Sequence, residues 1–288
     1  MKTKMLLALV FLISLTWSVT QISECVIINE SGEYIVLNDI ELNQTSHIGL
    51  FNPSSNQVAC IKIDVDENEK VILDLGNKTL RCADHKLTIQ NKSFETVFIY
   101  IGEDVNLTIK NGNIVNCNLA FGYGGVYKVN NMKIQNCNRG GSAYYVENSK
   151  FINNTKALYT QYDGNITNNY FGHNEVALYF WGTDNNFVFG NTFENNVKAL
   201  YFYHPKTDPP SGNIIVNNTF INNSFDCLAG TSGPSQYYKD FKPCKDYWMN
   251  NTTDKLPQPK SEKIFCFPTT IILMIFLLFL INSKISTQ

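Results

Sequence analysis

The chain has 288 residues, of which 44% are hydrophobic and only 17% charged, and its formal net charge is −2. This near-neutral balance argues against a nucleic-acid-binding protein, which would show a basic face. Asparagine supplies much of the polarity, with 37 residues. Because asparagine favours turns and caps over helix interiors, the composition disfavours an all-helical fold. Arg81 and Arg139 are the only arginines, which excludes a site built on an arginine cluster.

The N-terminus has the pattern of a secretory signal peptide. Two lysines precede an apolar run, Met5–Trp17, and small residues follow it. Ser18 and Thr20 fit the −3 and −1 positions of a cleavage site, which places cleavage before Gln21. A buried helix is the alternative. We expect residues 1–20 to be removed and the remaining chain to be exported.

A second apolar run, Ile264–Ile281, lies near the C-terminus and precedes a short polar tail, residues 282–288. Its length reaches the lower limit of a membrane-spanning helix. A removed lipid-anchor signal is the alternative, although such signals usually end in their hydrophobic segment. Both interpretations anchor the protein at the cell surface, and the cleaved signal places the domain outside.

A repeat occupies the middle of the chain. An apolar residue recurs at spacings of 34, 20, 17, 20, 22 and 27 residues, with a second apolar residue five positions earlier and mostly asparagine two and three positions later. Such a unit cannot bury its own apolar face, so the units must stack as a solenoid of parallel strands. Aligned asparagines at the bends then form hydrogen bonds along the stack. The first column is Leu80, Ile114, Ile134, Phe151, Phe171, Phe193 and Phe220, and the second is Leu75, Ile109, Val129, Val146, Ile166, Val188 and Ile215.

Several segments resemble a known fold. Gly112–Asn118, Gly212–Asn223 and Val71–Leu80 are similar to repeats of right-handed parallel β-helices, and Ser31–Ile40 resembles their entry strand. Such repeats occur in pectin-lyase-like proteins and in the β-helix family involved in nitrous-oxide reductase maturation. The resemblance implies an all-β, right-handed parallel β-helix solenoid with about seven or more rungs. It implies no particular activity, since this fold carries lyases, hydrolases, adhesins and many non-enzymes.

The expected organisation follows from the repeat and its flanks. Between the signal peptide and the anchor, residues 21–60 are predicted to form N-terminal strands and a cap. Residues 61–225 are predicted to form the β-helix repeats. Residues 226–263 lose the repeat and are predicted to form a C-terminal cap and a stalk.

Eight cysteines fit an oxidising compartment. Cys117 and Cys137 occupy the same column in successive units, so they form either a disulfide or two buried thiols that stack as small hydrophobic side chains. A Cys227–Cys244 disulfide is predicted to close the C-terminal cap.

Eleven Asn-x-Ser/Thr sequons agree with an exported chain. For those inside the most regular repeats, a structural role without modification is the alternative. The glycosylation candidates are Asn29, Asn43, Asn77, Asn91, Asn106, Asn250 and Asn251.

Candidates for catalysis are few. The resemblance implies that a lyase would combine calcium-binding acids with a basic residue, but neither arginine has a matching acid cluster. A hydrolase requires paired carboxylates, and Asp163 and Asp184 are the best candidates on adjacent rungs. A turn role is the alternative, because both belong to turn dipeptides. His173 replaces asparagine in the ladder column and is expected to form hydrogen bonds in its place. No metal and no cofactor is expected.

A Leu-Tyr pair recurs in three successive units. If the leucines point inward, strand alternation turns the tyrosines outward into one aromatic face. Such a face suits stacking on sugar rings, and a self-stabilising tyrosine ladder is the alternative. We therefore expect a membrane-anchored extracellular protein for non-enzymatic binding or adhesion, with polysaccharide as the partner. A surface polysaccharide lyase or glycoside hydrolase is the alternative. The leucines are Leu158, Leu178 and Leu200, and the predicted binding residues are Tyr159, Tyr179, Tyr201 and Trp181.

Overall fold

The computed structural model describes residues 19–50, 56–102, 105–122, 126–182, 184–204, 212–231, 248–249 and 251–253. These residues form 26 strands and no helix. Most strands pair in parallel with the strand one turn of the coil away, so they fall on three faces, called here sheets A, B and C. The chain passes from sheet A to sheet B to sheet C and then begins the next rung.

Four strands continue around corners and pair in two sheets each. From sheet A to sheet B run β11 (Asn106–Val115) and β13 (Val126–Gln135). From sheet C to sheet A run β14 (Ser142–Glu147) and β16 (Lys156–Thr167).

The other strands lie within single sheets or pair at the edge of one. Sheet A contains β1 (Thr20–Ile22), β3 (Gly32–Val36), β7 (Lys70–Asp74), β19 (Phe187–Phe189), β22 (Ile214–Val216) and β25 (Trp248–Met249). Sheet B contains β4 (Ile40–Leu42), β8 (Thr79–Cys82), β15 (Lys150–Ile152), β17 (Tyr170–Gly172), β20 (Thr192–Glu194), β23 (Thr219–Ile221) and β26 (Thr252–Thr253). Sheet C contains β2 (Val26–Ile28), β6 (Gln57–Ile63), β10 (Lys92–Ile101), β12 (Leu119–Gly122), β18 (Val176–Trp181), β21 (Lys198–His204) and β24 (Phe225–Thr231). Two strands pair antiparallel to sheet C members, β5 (Ile48–Leu50) with β6 and β9 (Lys86–Ile89) with β10.

The strand register confirms the first predicted column throughout. Ile114 pairs with Leu80 and with Ile134, and the same alignment continues rung by rung to Phe220. The second column is wrong in one rung, where Ile109 pairs with Leu73 and not with Leu75. The turn at Gly76 and Asn77, both with positive φ, lengthens that corner. Counting five residues back from Leu80 therefore misplaces the partner of Ile109 by two positions.

Aromatic side chains fill the interior of the later rungs. Phe151, Phe171, Phe193 and Phe220 are all buried, and successive ring centroids lie 5.0, 5.1 and 4.9 Å apart. These distances follow the rung spacing of a parallel sheet, which is about 4.8 Å. The core is therefore a continuous column along the helix axis, and each rung depends on its neighbours to cover its apolar side chains.

Most corners of the later rungs contain a residue in the left-handed conformation, followed by an inward-facing asparagine. Asparagine tolerates this conformation better than other non-glycine residues, which explains a large part of its excess in the chain. The predicted hydrogen-bonded ladder accounts only for the inward asparagine, and the left-handed conformation accounts for the asparagine that precedes it. The left-handed positions are Asn148, Asn168, Gly190 and Asn217 between sheets A and B, Asn153, His173, Asn195 and Asn222 between sheets B and C, and Asp163, Asn185 and Gly212 between sheets C and A.

The inward asparagines confirm the predicted hydrogen-bonded ladder. In the ladder between sheets B and C, the Oδ1 of Asn174 accepts from the backbone N of Asn154 at 2.9 Å and from its Nδ2 at 3.1 Å. The Nδ2 of Asn174 donates to Phe151 O and to Asn196 Oδ1, both at 3.0 Å. A second ladder, between sheets A and B, joins Asn169, Asn191, Asn218 and Asn251.

His173 does not occupy the ladder, contrary to the prediction. It is the exposed left-handed residue beside Asn174, and Asn174 is the residue whose side chain makes the ladder bonds. The sequence pattern offered two adjacent polar columns, and only packing decides which of them faces inward.

Disulfides join the early rungs. Cys25 bonds to Cys60, and Cys82 bonds to Cys117 with a Cα–Cα distance of 5.0 Å. Of the two alternatives for Cys117 and Cys137, the disulfide between them is wrong, because Cys117 is already bonded to Cys82 in the preceding rung. Cys137 is a free thiol, buried at the start of the asparagine ladder, where its backbone N donates to Asn154 Oδ1. Cys227 is also disulfide-bonded, and the predicted partner Cys244 lies outside the described residues.

We expect Cys137 to resist alkylation in the folded protein. Burial raises the pKa of its thiol to about 12, so at pH 8 almost none of the reactive thiolate is present. Iodoacetamide labelling at pH 8, followed by peptide mass spectrometry, should leave the Cys137 peptide unlabelled until urea unfolds the chain. Rapid labelling of this peptide in the native protein would contradict the buried position.

Parallel pairing extends beyond the predicted repeats at both ends. Gly32 already pairs with Val71 in the segment predicted as a cap, and Thr219 pairs with Thr252 after the predicted end of the repeats. The segments 1–18 and 264–281, predicted as most of the signal peptide and as the anchor, lie outside the described residues. Within the described part of the chain, no helix is long and apolar enough to cross a membrane.

Candidate functional site: an aromatic face on sheet C

The outer surface of sheet C carries the predicted tyrosines in register. Leu158, Leu178 and Leu200 pair with one another and are buried in the core. The next residue in each strand forms the outward column Tyr159–Tyr179–Tyr201, with ring centroids 4.8 and 5.4 Å apart. The register therefore confirms the geometry that strand alternation predicted.

A second outward column widens the face. Trp181 pairs with Tyr203, two residues beyond the tyrosine column, and their ring centroids lie 6.2 Å apart. Both rings also contact Tyr179, at 6.4 and 6.0 Å. We call the set Tyr159, Tyr179, Trp181, Tyr201 and Tyr203 the aromatic face.

The members of the aromatic face differ in accessibility. Trp181 is 57% exposed and is the most accessible of the set, whereas Tyr179 is only 7% exposed. Burial raises the pKa of the Tyr179 hydroxyl well above its ordinary value, and the nearby hydroxyls of Tyr159, Tyr201 and Tyr203 raise it further. Tyr179 therefore stays neutral and supports its neighbours, and it offers the least accessible surface of the predicted binding residues. The accessible surface of the aromatic face consists of Trp181 and the partly exposed Tyr159, Tyr201 and Tyr203.

Cationic side chains border the aromatic face, and the sequence analysis did not include them. Lys156 Nζ lies 4.8 Å from the ring centroid of Tyr179, and Lys198 Nζ lies 4.8 Å from that of Tyr201. These cation–π contacts hold the rings against the sheet and leave ammonium groups at the edge of the face. The signal was present in the sequence, because Lys156 and Lys198 each stand three residues before a tyrosine of the column.

The two candidate catalytic acids lie on adjacent rungs, as predicted. The backbone N of Asp163 donates to the carbonyl O of Asp184 at 3.1 Å, at the corner between sheets C and A. Asp163 has a φ of 56° and an exposed side chain, which fits a turn position. Among the described residues, no group of three or more His, Cys, Asp or Glu side chains is placed to hold a metal ion.

The asparagines of the sequons differ in whether their side chains are hydrogen-bonded in a ladder or exposed at the surface. In Asn251, the Nδ2 atom that would carry a glycan donates to Ile215 O at 2.9 Å, and Oδ1 accepts from Asn218. This ladder position argues against Asn251 as a glycosylation site. In contrast, Asn153 and Asn217, which were outside the candidate set, are exposed at left-handed corners.

For the other candidates, glycosylation stays a prediction. Asn250 lies outside the described residues. Asn29, Asn77 and Asn91 are exposed, and Asn43 and Asn106 are half-buried.

Comparison with known families supports the class of fold. The family described as "Right handed beta helix region" matches residues 124–236, which include the regular rungs with the asparagine ladders. Together with the parallel register on three faces, this match supports a parallel β-helix fold for the described rungs. No curated protein and no solved structure matches the chain.

Proposed function

We propose that the protein binds carbohydrate without cleaving it and uses the aromatic face of sheet C for this purpose. The observation that carries the proposal is the in-register stack of outward rings with Trp181 57% exposed at its edge. Sugar rings present flat C–H surfaces that pack on aromatic rings, while tyrosine hydroxyls supply hydrogen bonds at the ring edge. The predicted export and membrane anchor would place this face at the cell surface, in a role such as adhesion.

The direction of the face suggests an extended chain as the ligand. Accessible aromatic rings lie on three successive rungs along the axis of the helix, namely Tyr159, Trp181 and Tyr201. A polysaccharide lying along this axis would therefore meet a ring at each step of about 4.8 Å. Ammonium groups of Lys156 and Lys198 stand beside the rings and can donate hydrogen bonds to hydroxyl or carboxylate oxygens.

Replacing both Trp181 and Tyr203 with alanine should weaken polysaccharide binding roughly tenfold or more, since exposed aromatic anchors dominate such surfaces. The measurement is isothermal titration of the purified chain with soluble β-glucan, galactan, mannan and polyuronate. Tyr162→Ala is the matched control, because Tyr162 is 55% exposed but lies outside the aromatic face.

The outcomes separate binding from other roles. Equal affinity in the double variant and the unaltered protein would remove the aromatic face from the proposal. Absence of binding to every polysaccharide by the unaltered protein would overturn carbohydrate binding itself. The melting temperature of each variant shows that the fold is retained.

A second candidate function is a surface glycoside hydrolase or lyase, and one observation favours it, the adjacency of Asp163 and Asp184. Incubation with the same polysaccharides, with and without calcium, followed by an assay for new reducing ends, tests this function. Release of ends that disappears in Asp163→Asn or Asp184→Asn would identify the enzyme and replace the binding proposal.

A further inference from the structure

A shallow groove of about 330 Å³ lies on the outer surface of sheet B, on a different face from the aromatic rings. Its floor is the middle rung, where the short side chains of Asn113 and Val115 point outward. Longer side chains stand on both sides, with Arg81 on the preceding rung and Lys133 and Gln135 on the following rung. The difference in side-chain length between adjacent rungs therefore creates the groove.

The charge in the groove is positive. Arg81 forms no ion pair among the described residues, whereas the other arginine, Arg139, pairs with Glu95 at 3.4 Å. Glu41 is the register neighbour of Arg81 on the opposite side from the groove, but the two side chains make no ion pair. Lys133 is likewise without an ion pair in the described part of the chain, and Lys150 is its register neighbour.

The described residues that line the groove include no acid, and they supply neutral donors besides the two cations. Side-chain amides of Gln135 and of the corner residues Asn116 and Asn136 border it. A tetrahedral oxyanion presents several acceptor oxygens and matches this combination of a guanidinium fork, an ammonium and amide N–H groups. Arginine in particular binds sulfate-like and phosphate-like groups with two parallel hydrogen bonds.

We propose that this groove is a second binding site, which takes a sulfate or phosphate group between Arg81 and Lys133. The site goes beyond the proposed carbohydrate binding, because it lies on sheet B and shares no residue with the aromatic face. Its ligand chemistry is that of a tetrahedral oxyanion, carried by a sulfated glycan, by a phospholipid headgroup or by a free ion.

The test uses the purified full-length chain and three kinds of probe. Isothermal titration measures binding of inorganic sulfate and phosphate, and of dextran sulfate against unsulfated dextran. Flotation measures binding to phosphatidylcholine vesicles with and without phosphatidic acid. The variants are Arg81→Gln and Lys133→Gln. Lys128→Gln is the matched control, because Lys128 already pairs with Glu147 at 2.6 Å on sheet A.

The expected result is binding of at least one anionic probe, weakened about tenfold or more by Arg81→Gln and by Lys133→Gln but unchanged by Lys128→Gln. The probe that binds identifies the source of the oxyanion. Equal weakening by all three variants would show general charge attraction and overturn the site, as would the absence of binding to every anionic probe.

The same variants separate the two proposals. Arg81→Gln and Lys133→Gln should leave the binding of neutral polysaccharide unchanged, because that binding depends on the aromatic face. Trp181→Ala with Tyr203→Ala should leave oxyanion binding unchanged. Either proposal can therefore fail while the other stands.

Discussion

Replacement of Asn174 with alanine should lower the free energy of unfolding by about 3–5 kcal/mol, because several buried polar groups lose their partners and each unsatisfied group costs about 1–3 kcal/mol. The carbonyl of Phe151 loses its donor, and the backbone N of Asn154 loses its acceptor. Asn174 is only 1% exposed, so water does not readily replace these bonds. Urea unfolding followed by circular dichroism measures the change.

The neighbouring residue provides the control for this prediction. His173→Asn changes an exposed side chain at a left-handed corner, where asparagine is at least as favourable as histidine. Its effect should stay within about 0.5 kcal/mol, as for most surface substitutions. A cost for His173→Asn comparable with that of Asn174→Ala would show that the corner conformation, and not the ladder, supplies the stability.

Phe171→Ala should destabilise the fold by a similar amount, about 3–5 kcal/mol, which is the usual cost of removing a buried aromatic side chain. The ring of Phe171 stacks between Phe151 and Phe193 at centroid distances of 5.0 and 5.1 Å. Its removal leaves a cavity in the middle of the column, and the backbone hydrogen bonds between the strands keep the rungs above and below at a fixed spacing. The cavity therefore cannot collapse along the axis.

Tyr170→Phe is the matched control for the core substitution. Tyr170 is adjacent in sequence and faces the exterior of sheet B, where its hydroxyl donates to Glu194 Oε2 at 3.0 Å. Loss of this partly exposed bond should cost about 1 kcal/mol. Midpoints of urea unfolding that shift equally in the two variants would contradict a core that is continuous along the solenoid.

Much of the fold could be predicted because local patterns repeat from rung to rung. The comparison of the internal repeats correctly placed one inward column, which includes Ile134, Phe151 and Phe171. Strand alternation after Leu178 was sufficient to place Tyr179 on the outer surface of sheet C. Both inferences need only the period of a strand and the requirement that apolar side chains be buried.

The errors arose where the length of a rung changes or where two adjacent columns look alike. The turn at Gly76 shifts the pairing of Ile109 to Leu73, which a fixed offset of five residues misses. His173 and Asn174 are both polar, and the sequence does not show which one faces the core. Cys117 had partners available in two neighbouring rungs, and only the coordinates show that Cys82 is bonded to it.

The sequence by itself determined the class of fold, because columns of apolar residues and asparagines at a period near 20 residues require stacked parallel strands. It also determined that the tyrosines point outward. The tertiary structure alone decided which side chains remain accessible. Tyr179 is covered by aromatic rings and by a lysine side chain, and these neighbours come from three successive rungs. The groove beside Arg81 exists because Val115 and Gln135, which are 34 and 54 residues later in the chain, lie beside it on the next two rungs. Accessibility depends on neighbours distant in sequence, and loops of unequal length set which residues become those neighbours.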